Sequence, residues 1–211
     1  MPAVKSQQTR FDVATATGSV KTITGATAAF PVVVTSTSHG LANGTVVVIT
    51  GVVGMTQLNN RAFIIANQAT NTFELKGVDG TTYTAYTSGG SATPQTMTEI
   101  GGITDADMFD GSAAEIDATT LRSVAKEKIV GIPDYGGCTL TINNIVDTGQ
   151  TQLQKLYETQ VVGTFDVILS DARSGAFMAY VMQFTMPLGG PDSKVGGSVK
   201  LLLSAAPQRV A

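Results

Sequence analysis

Few residues in this chain have the types and spacing to do chemistry, and each can be held against what that chemistry requires. The single histidine, His39, stands in the turn His39-Gly40-Leu41-Ala42-Asn43-Gly44, so a Ser-His-Asp or Cys-His group would have to use it. A polar turn residue is the better reading. Ser123-Val124-Ala125-Lys126 matches the Ser-x-x-Lys fragment of serine enzymes that recognise penicillin, but no Ser-Asp-Asn or Lys-Thr-Gly follows. Asp105, Asp107 and Asp110, with Gly111 and Glu115, have the composition of a calcium loop. An EF-hand beginning at Asp105 needs an acid or Asn at 109 and Gly at 110, where Phe109 and Asp110 stand. Cys138 is the only cysteine, which leaves no intrachain disulfide and no multi-cysteine metal site. Neither a Gly-rich phosphate loop nor zinc spacing is present, so the chain reads as a non-enzyme without metal or cofactor.

The elements that carry these residues are mostly strands. With 23 glycines, abundant Thr and Ser and little helical periodicity, the sequence reads as mainly β. A length of 211 residues allows one large or two small domains with a core of their own. Asp and Glu number 16 against 13 Lys and Arg, which provides no electrostatic footprint for gripping nucleic acid. No apolar run approaches the length of a membrane span, and MPAVKSQQTR lacks the apolar core of a signal peptide. The expectation is a soluble protein, without a membrane anchor, made in a reducing cytoplasm.

Along the chain, Arg10–Thr17 alternates Phe11 and Val13 with Asp12, a strand pattern. A second unit with its own punctuation covers residues 19–93. It holds a β-branched run at Pro31–Thr37 and strands or hairpin arms at Thr45–Ile49, Ala62–Ala66 and Thr72–Leu75, Asp79-Gly80 suggests a type I′ turn, and Tyr83–Thr87 with Ser88–Ser91 closes the unit. Thr96–Asp105 resumes as a strand with a bulge at Gly101-Gly102. Asp147 with Gln150 has the arrangement of a capping box, and Leu153, Leu156, Tyr157 and Val161 recur at helical spacing. Thr164–Ser170, Gly175–Met186, apolar on both faces, and Ser198–Ser204 complete the strands. Leu188–Asp192 is a turn, and Ala205–Ala211 is a tail that reads as a second arm.

The unusual stretch is Ala114–Asn143. Glu115–Thr119 and Cys138–Asn143 read as the two strands of a hairpin, with Cys138, Leu140 and Ile142 on one face, and between them lies a polar, Lys-rich arm. Connections of this length are usually functional or disordered. The run Glu115-Ile116-Asp117-Ala118-Thr119-Thr120-Leu121, then Ala125-Lys126-Glu127, then Gly131-Ile132-Pro133-Asp134-Tyr135-Gly136-Gly137 resembles the pattern of major tail tube proteins of long-tailed bacteriophages, over roughly residues 95–206 and the first strand. Ala118 stands where that pattern often has Val.

Residues 20–93, with HGL, GV.GM, TFEL and AYTSGG segments, resemble small β modules of phage tail and fibre proteins. These modules are often labelled after the first catalytic-cysteine half-domain of ubiquitin-activating enzymes, yet this segment has no cysteine. The resemblance implies a tail-tube β-sandwich, or partly open barrel, with one flanking α-helix from residues 1–18 and 94–211. Residues 19–93 would be an inserted, barrel-like decoration. It further implies stacked, hexameric rings around a channel for genome DNA, which passes without specific binding. Inter-ring contacts would fall on Leu121, Arg122, Lys126, Glu127, Lys128, Ile132, Asp134 and Tyr135 and on the terminal arms, and lumen acids on Asp105, Asp107, Glu115 and Asp117. Partners by resemblance are further copies of the chain, a tape measure protein and tail terminator or baseplate proteins. The protein would be assembled in the host cytoplasm and reside in the virion. The alternative is a tail-associated module that binds host-surface polysaccharide, with Tyr83 and Tyr86 as stacking faces.

Overall fold

The period-2 pattern of the first strand sets the architecture, because Phe11 and Val13 are buried on one side of it and Asp12 on the other. The computed structural model describes residues 7–187, 194–208 and 210; the expected turn at Leu188–Asp192 lies outside them. The chain is mainly β with one helix, and its sheet curls into a half-barrel. In chain order the strands are β1 (Arg10–Thr17), β2 (Lys21–Thr22), β3 (Gly25–Ala26), β4 (Val33–Thr35), β5 (Val46–Thr50), β6 (Arg61–Ala66), β7 (Thr72–Leu75), β8 (Ser91–Glu99), β9 (Ile103–Met108), β10 (Ser112–Asp117), β11 (Lys128–Asp134), β12 (Gly137–Asn143), β13 (Gly163–Ile168), β14 (Ser174–Thr185) and β15 (Gly196–Leu203). Helix α1 (Thr148–Thr159) lies between β12 and β13. Thirteen strands make one antiparallel sheet in the order β3-β4-β7-β6-β5-β8-β1-β13-β14-β15-β12-β9, with β2 beside β8, while β10 and β11 form a separate two-stranded ribbon.

The half-barrel encloses a cluster built from Phe11, Val13, Leu140, Ile142, Phe165, Val167, Phe177 and Leu201, closed by Leu153 and Leu156 of α1. Each fully buried Leu or Phe contributes about 1.5–3 kcal/mol of transfer free energy. A second cluster, with Val34, Val47, Ile49, Phe63, Phe73 and Leu75, lies within residues 23–92. β8 belongs to both units. Its first half pairs with β5 and its second half with β1, so the division drawn between residues 93 and 94 falls inside a continuous strand.

A third, smaller cluster joins the units: Val46, Ala62 and Ile64 of the module against Ala176, with Met97 and Met178 alongside. The C-terminal tail seals this seam. Gln208 is 2% exposed. Its Oε1 accepts from Ile64 N at 2.8 Å and Ala176 N at 3.3 Å, and its Nε2 donates to Lys76 O at 2.7 Å and Ile64 O at 3.3 Å. Arg61 Nε donates to Ala206 O at 3.0 Å. The tail read as an arm is therefore, at residues 206–208, part of the chain's own core.

Local readings shift for identifiable reasons. The Thr96–Asp105 strand divides, because a turn at Gly101-Gly102 ends β8 and starts β9 on the opposite side of the half-barrel. Gly102 has φ +78°, and a Cβ there would stand 2.5 Å from Asn143 O, so this turn requires glycine. Asp79-Gly80 is not a type I′ turn, since neither residue has positive φ; Asp79 Oδ1 instead accepts from Thr81 N at 2.9 Å. Tyr83–Thr87 forms no strand. Gln150 takes only half of the capping-box role. Its N donates to Asp147 Oδ2 at 3.2 Å, but its Nε2 goes to Gly101 O and Asn143 O, both at 2.8 Å. The helix ends at Gln160 in the left-handed region, which leaves Val161 outside it. In β14, Phe177, Ala179 and Val181 are buried, but a register shift between Val181 and Gln183 turns Phe184 toward the same core and leaves Tyr180 and Met182 exposed.

Candidate functional site

The ribbon is the part of the chain whose residues lack a core of their own. All six residues of β10 and six of the seven in β11 are exposed. The expected hairpin of Glu115–Thr119 with Cys138–Asn143 does not form. β10 pairs with β11, and β12 instead lies between β9 and β15 in the main sheet. The run Ile129–Pro133 has strand propensity and is the nearer partner, while β12 is claimed on both edges by β9 and β15. Ile116 faces Ile129 across the ribbon, and Asp117 faces Lys128.

The ribbon is anchored at its root. Gly137 N donates to Asp110 Oδ1, Phe109 N donates to Gly137 O at 2.8 Å, and Gly136 N donates to Asp134 Oδ1 at 2.9 Å. Phe109 stands edge-on to Phe177 with ring centroids 5.5 Å apart. At the tip, residues 118–127 bond to themselves. Ala118 N donates to Glu127 O at 2.9 Å, Glu127 N to Thr119 Oγ1 at 3.1 Å and Thr120 N to Ser123 Oγ at 3.1 Å. Ser123 thus belongs to a turn of the tip.

All eight residues assigned to contacts lie on this ribbon, its tip or its root, and all eight are exposed: Leu121, Arg122, Lys126, Glu127, Lys128, Ile132, Asp134 and Tyr135. Leu121 is fully exposed and Ile132 is 91% exposed. The arm is less polar than its lysines suggest, since Ile116, Val124, Ile129 and Val130 are exposed on it as well. Ile129 and Val130, with Ile132, are marked in the sequence by the apolar run Ile129–Pro133, whose side chains have no core to enter.

The four acids assigned to a lumen separate into two pairs. Glu115 forms an ion pair with Lys128 on the ribbon, and hydrogen bonds from Thr119 hold Asp117 below the usual carboxylate range. Asp105 and Asp107 lie on the uncovered face of the large sheet, opposite Thr141 and Thr139, and Thr139 is in turn opposite Lys200. Asp110 is committed to the ribbon root. Among the described residues no group of three His, Cys, Asp or Glu side chains is placed to hold a metal ion.

The remaining chemistry-bearing residues are built into cores. His39 is 1% exposed, so it is a buried rather than a surface turn residue. Its Nδ1 accepts from Leu41 N at 3.0 Å and its Nε2 lies 3.2 Å from Thr72 O. Cys138 is buried, and burial with Asp107 and Asp110 nearby pushes its thiol up to about 12. Tyr86 donates to Gly89 O at 3.0 Å, Tyr83 accepts from Arg61 at 3.2 Å, and both pack on the module core. Both remain partly exposed. Among the described residues no helix is long and apolar enough to cross a membrane.

No curated protein matches the chain. Residues 31–95 match the family model of the ubiquitin-activating enzyme E1 FCCH domain, a segment that runs from β4 into the first half of β8 and includes His39, Tyr83 and Tyr86 but neither Cys138 nor the ribbon.

Proposed function

We propose that this chain is a structural virion protein, the major tail tube subunit of a long-tailed bacteriophage, which forms stacked, hexameric rings enclosing a channel for genome DNA. The observation that carries this reading is the β10–β11 ribbon. A two-stranded hairpin with both faces in water is at best marginally stable, and a contiguous set of exposed aliphatic side chains marks an interaction surface. A neighbouring copy supplies what the ribbon lacks. Among the described residues no strand pairs with the outer edge of β9, and closure through neighbours is one way in which such edges are occupied.

In this arrangement Asp105 and Asp107, with Thr139 and Thr141, face the channel. Acids and hydroxyls there repel phosphate or leave it free to slide, in keeping with a net charge of −3. Further partners are a tape measure protein and terminator or baseplate proteins, and the site of action is the virion. The module at 19–93 decorates the outside.

Negative-stain electron microscopy at rising concentration, with light scattering on the same sample, tests this. Hollow tubes or rings are expected from the unaltered chain. Leu121→Asp with Ile132→Asp should abolish them without changing the unfolding midpoint, because neither side chain enters a described core. A monomer at all concentrations, or assembly indifferent to those substitutions, contradicts the reading.

A further inference from the structure

Asp12 and Asp166 stand directly opposite each other on β1 and β13. Their neighbours Phe11, Val13, Phe165 and Val167 enter the half-barrel core, so alternation places both carboxyls on the other face. The module covers that face, and Asp166 pairs in register with Ala176, which packs on the module's Ile64. Each acid is 4% exposed. Asp12 Oδ2 accepts from Arg10 Nη2 at 2.8 Å, whereas the buried Oδ1 atoms of both acids have no hydrogen-bond donor among the described residues. A cleft of about 370 Å³ reaches Asp166 between module residues such as Lys76 and half-barrel residues such as Ser174, and Lys76 Nζ donates to Ser174 Oγ at 3.0 Å across it.

Two buried carboxylates cannot both ionise cheaply. The charged groups facing the pair are Arg10 on β1, itself about half exposed, and Glu99 on β8, in register with Asp12. Lys76 stands at the cleft wall with its ammonium on Ser174, and β14 contributes only Ser174 and Ala176 there. One cation therefore faces three acids. Burial raises Asp12 and lifts Asp166 to about 7, with Asp12 reinforcing the shift of Asp166 and Arg10 opposing it. A single proton on the pair supplies a donor where two oxygens lack one.

We propose that Asp12 and Asp166 form a proton-operated clasp on the seam between the module and the half-barrel: a proton held by the pair keeps the seam closed, and its loss loosens the module. The clasp is a property of the single chain and holds whatever the chain assembles into.

Hydrogen exchange of the full chain at pH 5.5 and 7.5, corrected for intrinsic rates, tests this. Protection in the segments around Ile64–Lys76 and Ser174–Met178 should fall at the higher pH by about tenfold or more, the limit being about tenfold per pH unit over which the pair loses its proton. Protection in β12 and β15 should fall by no more than the overall stability does over the same range. Asp166→Asn keeps the shape and removes the titration, so its seam should be equally protected at both values. Unchanged protection in the unaltered chain, or an undiminished pH effect in Asp166→Asn, overturns the proposal. Should that variant fail to fold, carboxyl carbon NMR of the unaltered chain decides, because every aspartate titrating below pH 5 overturns it. A chelator that lowers protection at pH 7.5 would assign the pair to a divalent ion instead, and overturns it equally.

Discussion

Replacing Gln208 by alanine tests whether the last residues belong to the fold. The side chain makes four hydrogen bonds to backbone atoms of β6, of the residue after β7 and of β14. One of the four is backed up, since Ile64 O also accepts from Lys76 N at 2.9 Å. Ile64 N, Ala176 N and Lys76 O would lose their side-chain partner. An unsatisfied buried backbone group costs about 1–3 kcal/mol, and water entering the vacated space recovers part of it. The expected loss is about 2–5 kcal/mol, a large share of the roughly 5–15 kcal/mol that a domain has. With a urea m-value of about 1–3 kcal/mol/M, the midpoint should fall by about 1 M or more at unchanged slope. Gln208→Glu should cost at least as much, because it buries a charge among the same groups. A midpoint within about 0.2 M of the unaltered chain would refute the docked tail.

Leu153→Ala, which empties the α1 side of the half-barrel core, should destabilise by about 2–5 kcal/mol in the same denaturation assay. Asp147→Ala removes the helix cap and should cost about 0.5–2 kcal/mol. Asp166 has a folded pKa raised above its unfolded value, so the stability it contributes is fully present below about pH 4 and is lost as pH rises to about 7. Stability measured by urea titration should therefore decline over that window by up to a few kcal/mol, and Asp166→Asn should flatten the decline. Cys138 should resist alkylation at pH 8 in the folded chain and react at once after unfolding, since burial keeps its thiol protonated; rapid labelling of folded protein would contradict its place in the core.

Strands whose alternation is local were legible in the sequence. β1 and β7 match their expected spans, and Cys138, Leu140 and Ile142 fall on the buried face of β12 as their spacing requires. Long-range competition was not legible. Nothing near Glu115 reveals that Ile129 rather than Cys138 becomes the partner strand, because the choice depends on β12 being claimed by β9 and β15 from either side. A bulge is likewise invisible in a period-2 pattern, which would put Phe184 on the face opposite Phe177, whereas the register shift after Val181 brings both to one core. Gln208 and the Asp12–Asp166 pair were missed because polar residues on strands and tails ordinarily face water; only the module's position on the sheet buries them. The eight exposed contact residues were found through the arm's length and its resemblance, whereas the apolar character of its second strand was overlooked.

The neighbours of β1 are β8 and β13, drawn from residues 91–99 and 163–168, and the seam is sealed only when Gln208 arrives. A chain emerging from the ribosome can gather the core of residues 23–92 early, but its first strand waits, half-paired, until residues 163–168 have been made. Contacts of such sequence separation are slow to form and leave strand edges open meanwhile. Truncated products would hold an unsealed half-barrel with the module ajar, and so would be the species that chaperones and proteases meet. Gln208 thus acts as a completeness check on the residues made before it.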